Sequence, residues 1–217
     1  MSDLVERVND GLAHLPLVAI LRGVRPDEAE AVGAALIVAG FRFIEAPLNS
    51  PDPFGSIAKL AAMAPRDVLV GAGTVLRPDD VDRVADANGQ LIISPNFNAD
   101  VVRRAVARGL IAMPGVMTPS EAFAALDAGA HALKLFPGEA LPPAAVRAMR
   151  AVLPKDVTLL VVGGVSTDTM KAYVDAGANG FGIGSSLYKP GLTAQEVRSR
   201  ADALIAAARD AGLGRAP

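Results

Sequence analysis

The sequence contains no cysteine and no tryptophan, and only two histidines. Without cysteine there are no disulfides, thiolate metal sites, iron–sulfur clusters or cysteine nucleophiles. His14 and His131 are too few for a histidine-rich zinc site, and a Ser-His-Asp triad would have to use one of them. No sign of charge dominates: 21 Lys and Arg stand against 23 Asp and Glu, a net charge of −2, so the basic field of a nucleic-acid binder is missing. No apolar run approaches the roughly 18 residues needed to cross a bilayer. Residues 1–14 carry Asp3, Glu6, Arg7 and Asp10, unlike a signal or transit peptide. The expectation is a soluble, cytoplasmic protein with neither a nucleic-acid nor a membrane partner.

What is there is small and apolar. Of 217 residues, 51% are hydrophobic, and 41 are Ala, which suits helices packed closely on a sheet. Short apolar runs at 17–21, 41–46, 68–72, 91–94, 110–113, 132–136, 158–162 and 180–184 make eight candidate strands, starting about 20 to 27 residues apart. That spacing is one strand plus one helix. Helices are expected to open at Pro26-Asp27-Glu28, Arg77-Pro78-Asp79-Asp80, the capping-box pattern Thr118-Pro119-Ser120-Glu121, and Ser166-Thr167-Asp168. A last helix is expected from about Thr193 to Ala211. Gly40, Gly109, Gly129 and Gly177 each end a helix directly before a strand. The segments Asp-Ala-Gly-Ala-His-Ala and Asp-Ala-Gly-Ala-Asn-Gly form a weak internal repeat.

Eight near-continuous apolar strands alternating with helices imply a parallel sheet covered by helices. Eight such units close a (β/α)8 TIM barrel. A doubly wound open sheet is the alternative, but it would carry a G-x-G-x-x-G turn after its first strand, where this chain has Arg22-Gly23-Val24-Arg25-Pro26. With no linker, one α/β barrel domain is expected over 1–217, with an N-terminal helix at 1–14 and a frayed tail at 212–217. The length lies near the lower end for such barrels, so short loops at the strand ends must carry the chemistry.

Lys134 is the most informative residue. The chain has five Lys against 16 Arg, and only Lys134 lies inside an apolar strand, Ala132-Leu133-Lys134-Leu135-Phe136-Pro137. Alternation puts Leu133 and Leu135 toward the helices, so Lys134 points into the barrel. A buried ammonium loses its proton readily, and the neutral amine can attack a carbonyl to give a Schiff base. The plainer alternative is an ion pair with an interior carboxylate. Glu45 lies on the inner side of Phe43-Ile44-Glu45, as a candidate general acid/base or merely that partner. Gly163-Gly164 and Gly184-Ser185-Ser186 follow the last two strands, where barrels bind phosphate, although tight turns alone would also need these glycines. Arg22 could clamp a carboxylate or pair with Glu45, and Thr74 could donate a hydroxyl or cap the helix near Pro78. His14 and His131 precede strands, on the face away from the chemistry.

Taken together, Val18-Ala19-Ile20-Leu21-Arg22-Gly23, Glu45-Ala46-Pro47-Leu48-Asn49-Ser50, Gly71-Ala72-Gly73-Thr74-Val75 and Ser94-Pro95-Asn96 resemble the 2-keto-3-deoxy-6-phosphogluconate aldolase family. So do the Lys134 strand, Val162-Gly163-Gly164-Val165 and Gly182-Ile183-Gly184-Ser185, in order and along essentially the whole chain. The resemblance implies a class I aldolase, typically a homotrimer, with no metal and no cofactor beyond the covalent imine. Lys134 matches the Schiff-base lysine, and Glu45 the general acid/base. Arg22 and Thr74 match positions around the pyruvate carboxylate, and Pro95 and Phe136 match pocket-lining positions. Gly163, Gly164, Gly184 and Ser185 match the phosphate turns. The substrates implied are a phosphorylated 2-keto-3-deoxy sugar acid, pyruvate and glyceraldehyde 3-phosphate.

Two segments bear on the branch within the family. Gluconate-type members usually carry Arg-Thr at the place of Asn49-Ser50 and Pro-Thr at the place of Val161-Val162. The pattern here is similar to aldolases acting on the galactonate epimer, which differs only at C4. A Thr hydroxyl there could bond the C4 oxygen, and Val162 cannot. The chain departs from relatives at Gly138-Glu139, where some carry Ser-Ser, so no hydroxyl is offered by that loop. A gluconate-preferring or dual-epimer aldolase is the first alternative. A phosphate-binding isomerase barrel would leave Lys134 without a carbonyl to attack, and in a non-catalytic sugar-phosphate binder an interior Lys and Glu would be needlessly costly.

Overall fold

Each strand is buried on both faces and pairs in parallel with its neighbours, which is why the apolar runs are continuous rather than alternating. The computed structural model describes residues 3–214. In chain order it contains α1 (Asp3–His14), β1 (Leu17–Ile20), α2 (Pro26–Ala39), β2 (Phe43–Pro47), α3 (Pro53–Met63), β3 (Leu69–Gly73), α4 (Pro78–Asp86) and β4 (Leu91–Ile93). There follow α5 (Ala99–Ala107), β5 (Ile111–Met113), β6 (Gly115–Val116), α6 (Pro119–Asp127), β7 (Leu133–Leu135), a 3-10 turn (Gly138–Ala140) and α7 (Pro143–Val152). The chain closes with β8 (Leu159–Val162), α8 (Met170–Asp175), β9 (Gly180–Ile183) and α9 (Ala194–Asp210).

The strand order β5-β4-β3-β2-β1-β9-β8-β7-β6 runs round a ring. The expected fifth strand forms as β5, and beyond Pro114 the chain adds a short β6: β5 pairs with β4, and β6 pairs with β7. Proline has no N–H for the ladder, and its carbonyl accepts instead from the Lys134 N–H at 2.9 Å. Counting β5 and β6 as one position, the nine segments fill eight barrel positions.

Two apolar compartments hold the ring together. Val18, Phe43, Leu69, Leu91, Ile93, Ile111, Met113, Ala132 and Leu160 fill the barrel interior. Val8 of α1 joins them, with Leu4, Val5 and Leu12 against the cluster, so α1 plugs the N-terminal end of the barrel. Leu17, Ala19, Ile44, Leu133, Leu135 and Val161 face outward under the helices. Each fully buried Leu, Ile or Phe contributes about 1.5–3 kcal/mol of transfer free energy.

The punctuation matches in most places. Gly40 ends α2 at φ 117°, its N–H bonding Leu36 and Ile37 carbonyls, a left-handed cap that a side chain would oppose. The Thr118–Glu121 capping box forms at α6, and Thr193 caps α9. One expectation fails. The helix expected from Ser166 begins at Met170, because Ser166 and Thr169 bond each other in a turn first: the Ser166 N–H donates to Thr169 Oγ1 at 2.9 Å. Of the tail expected to fray from 212, Leu213 is buried in the outer core and donates its N–H to the Ala208 carbonyl at 2.9 Å. The rest of that tail, 215–217, and residues 1 and 2 of the N-terminal segment lie outside the described residues.

Candidate active site

Alternation along β7 and β2 places one base and one acid inside the barrel. Lys134 shares the inner face with Ala132, and Glu45 shares it with Phe43. Glu45 is 1% exposed and Lys134 5%. Among the described residues Glu45 Oε2 has no hydrogen-bond partner, and Lys134 Nζ sits over the Phe136 ring, 4.8 Å from its centroid. The two groups feel each other's charge without that oxygen being tied down. Burial pushes the Glu45 carboxyl up to about 7, against the opposing pull of Lys134 and Arg22. Burial also lowers the Lys134 amine, helped by Arg22 and opposed by Glu45. Such a pair can supply a neutral nucleophile and an acid/base group titrating near neutrality.

Gly73 makes the seat for this carboxylate. A Cβ at Gly73 would lie 1.7 Å from Glu45 Oε2, so no other residue fits without moving it. The next residue, Thr74, has φ 57°. A β-branched side chain in the left-handed region is strained by about 1–3 kcal/mol, and such strain gathers at functional sites. Thr74 does not cap α4, whose N-cap is Arg77 without a side-chain bond.

Above the pair lies a cavity of about 510 Å³ lined by Arg22, Phe136, Val162, Gly163, Gly164, Gly184 and Ser185, seven of the residues singled out in the sequence. A small void of about 10 Å³, room for about one water, is lined by Lys134 and Glu45. Ile20, Val162 and Gly182 wall both spaces. Gly163 (φ 106°) and Gly164 (φ 64°) turn the backbone after β8 in the manner of an anion-binding nest. Ser186 Oγ ties the turn after β9 to it by donating to the Val165 carbonyl at 3.1 Å.

Arg22 does not pair with Glu45. It donates to Asn49 Oδ1 at 2.8 Å, while the Gly23 N–H donates to Ser50 Oγ at 2.8 Å, clipping the loop after β1 to the loop after β2. Asn49, Thr74 and Pro95 stand at strand ends but outside both linings. Pro95 instead packs its carbonyl where a Cβ at Gly115 would come within 2.3 Å. Sequence reasoning passed over Ile20, Glu139, Gly182 and Lys189 as wall residues. Ile20 was recoverable from its alternation with Val18, whereas Glu139 arrives by a loop crossing. His131 is structural in its contacts: Nδ1 accepts from the Ala112 N–H at 3.1 Å. His14 lines a separate cavity of about 400 Å³ beside α1, where Arg42 is already paired with Asp67 at 2.9 Å and Arg7 with Gln90 at 3.1 Å. Among the described residues no cluster of three or more His, Asp or Glu is placed to hold a metal ion, and no helix is long and apolar enough to cross a membrane.

A family model described as KDPG and KHG aldolase matches residues 8–204. The chain is 54% identical over 192 residues to a probable 2-dehydro-3-deoxy-6-phosphogalactonate aldolase of Rhizobium meliloti (strain 1021), covering 88% of this chain and 91% of that one. It is 46% identical over 197 residues to the 2-dehydro-3-deoxy-6-phosphogalactonate aldolase of Escherichia coli (strain K12), covering 91% and 96%. A solved structure described as native KDPGal superposes with a TM-score of 0.89 at 46% identity, over 91% of this chain and 96% of that one.

Proposed function

Because the chain belongs to the KDPG and KHG aldolase family and is therefore a carbon–carbon lyase, we propose that it cleaves 2-dehydro-3-deoxy-6-phosphogalactonate to pyruvate and D-glyceraldehyde 3-phosphate through a Schiff base on Lys134. The observation that carries this reading is the burial of an amine and a carboxylate together inside the barrel, beneath a cavity that ends in glycine turns.

Neutral Lys134 attacks the C2 ketone to form a carbinolamine. Glu45, directly or through one water, supplies the proton with which hydroxide leaves as water, giving the iminium. Glu45 then takes the proton of the C4 hydroxyl as the C3–C4 bond breaks. The bonding electrons pass into the iminium, leaving an enamine and releasing the aldehyde. Protonation at C3 and hydrolysis return pyruvate and the amine. The iminium is the electron sink, so the reading calls for no metal and no further cofactor. Arg22 after β1, with Thr74 after β3 two strands round the ring, suits the substrate carboxylate, and Gly163, Gly164, Gly184 and Ser185 suit the phosphate. A cytoplasmic homotrimer belongs to the same reading. Leu76, Met117 and Phe123 are exposed and would give it apolar surface to bury.

The galactonate epimer is favoured by the two relatives that carry that name and by Val162, which lines both spaces and offers no hydroxyl. Parallel kinetics on both epimers test it, with kcat/KM expected to favour the galactonate form and equal values overturning the assignment. Val162→Thr adds a hydroxyl to the wall that the two spaces share. It is expected to shift the epimer ratio about tenfold toward the gluconate form, as one hydrogen bond gained or lost in a site is worth about 1–3 kcal/mol.

Gly73→Ala pushes the Glu45 carboxylate from its seat. The expected result is a loss of about 100-fold in kcat, from displacement of about 1 Å in an acid/base group. The accompanying destabilisation is about 1–3 kcal/mol, read as a lower melting temperature. A variant with unchanged kcat would show that the carboxylate's position is immaterial.

A further inference from the structure

One side chain in the cavity wall runs against the chemistry of a phosphate site. Glu139 lines the cavity with Gly163, Gly164, Gly184 and Ser185, and its side chain lies across the glycine turn itself. A Cβ at Gly163 would come within 2.3 Å of Glu139 Oε2, and one at Gly164 within 2.8 Å of its Cγ. The loop that delivers it is held from three sides. The Ala140 N–H bonds the Pro137 carbonyl at 3.0 Å, the Leu141 N–H bonds the Gly138 carbonyl at 3.0 Å, and Tyr173 Oη, from α8, donates to the same Gly138 carbonyl at 3.1 Å. Glu139 itself is exposed. A carboxylate on a fixed loop therefore faces the backbone that would hold a phosphate, and the cavity's cations, Arg22 and Lys189, come from other loops. Arg22 is engaged by Asn49.

A carboxylate and a phosphate dianion a few ångströms apart repel, and both compete for the same N–H groups. A terminal hydroxyl has the opposite relation to a carboxylate, because it donates a hydrogen bond that charge strengthens. We propose that Glu139 is a specificity-determining residue that weakens the hold of this site on phosphate-terminated substrate and accepts a hydrogen bond from the terminal hydroxyl of the unphosphorylated 2-keto-3-deoxy sugar acid, making that acid a second substrate. This rests on the aldolase reading above.

The test uses the full-length enzyme, Glu139→Gln and Glu139→Ser. Cleavage of 2-dehydro-3-deoxy-6-phosphogalactonate and of its unphosphorylated counterpart is measured alongside calorimetric binding of inorganic phosphate, which needs no turnover. Removing the charge is expected to raise kcat/KM about tenfold on the phosphorylated acid and lower it about tenfold on the other, carried mostly by KM. It is also expected to tighten phosphate binding about tenfold, an advantage that shrinks at 1 M salt. An unmoved ratio of the two kcat/KM values with unmoved phosphate binding overturns the role of Glu139 while leaving the aldolase reading intact. Tighter phosphate binding in variants of a protein that cleaves neither acid keeps the charge effect and overturns the aldolase reading.

Discussion

Lys134→Ala is expected to lower kcat by a factor on the order of 10⁴ or more, the scale on which removing a covalent nucleophile acts. Intact enzyme treated with pyruvate and borohydride is expected to gain one pyruvate less one oxygen, and the variant nothing. The expectation follows from how the amine is held. Burial on β7 depresses its proton affinity, and its contact with Phe136 is with a ring face rather than a carboxylate oxygen. An ion-paired lysine would be locked as ammonium and could not attack. Lys134→Met separates chemistry from architecture, because it keeps most of the stem in the barrel while removing the amine. It is expected to fold at least as stably as the parent at neutral pH, since an apolar group replaces a buried ionisable one, and to trap no pyruvate. A trapped adduct of equal yield in either variant would place the Schiff base on another amine.

The inward face of Lys134 was legible because Leu133 and Leu135 on either side need the helices, and a strand has only two faces. Glu45 followed from Phe43 and Ile44 by the same rule, and the eight barrel positions followed from the recurrence of such runs. What alternation does not encode is which loops meet across the ring. Arg22 reaching Asn49 rather than Glu45 and Glu139 lying over Gly163 both depend on how neighbouring units are set side by side. Local competition defeated another expectation, because Ser166 and Thr169 satisfy each other before a helix can start. The apolar run at 110–113 carried no signal that a second short segment, β6, would follow Pro114 and pair with β7. The strain at Thr74 had no sequence signal at all, since Gly73-Thr74 reads as an ordinary strand end. Its position beside the Glu45 seat is visible only once the backbone is known.

Glu45→Gln is expected to lower kcat by about 10²–10⁴, the range for loss of a positioned acid/base group, and to change two pH profiles in ways a purely structural carboxylate would not. The first is the rate. With its carboxyl raised to about 7, Glu45 enters the reaction protonated, dehydrates the carbinolamine and is ionised by that transfer before it takes the C4 hydroxyl proton, so kcat/KM for the parent is expected to fall as pH rises through about 7. That limb is absent from the variant. The second is stability, whose sign follows from linkage. A carboxyl whose pKa is raised by folding favours the native state in its protonated form. Its contribution is complete below about 4.5, declines as pH rises, and is gone above about 7. A shift of that size corresponds to roughly 3 kcal/mol at most. Glu45→Gln escapes that loss, so its melting temperature is expected to match the parent near pH 4 and exceed it near pH 8. Lys134 slopes the other way, because its lowered pKa makes the native state gain stability as pH rises toward the ordinary lysine value of 10.5. The difference between parent and Glu45→Gln isolates the carboxylate from that opposing trend. Melting curves from pH 4 to 9 that stay parallel would show that Glu45 is not the group titrating near neutrality.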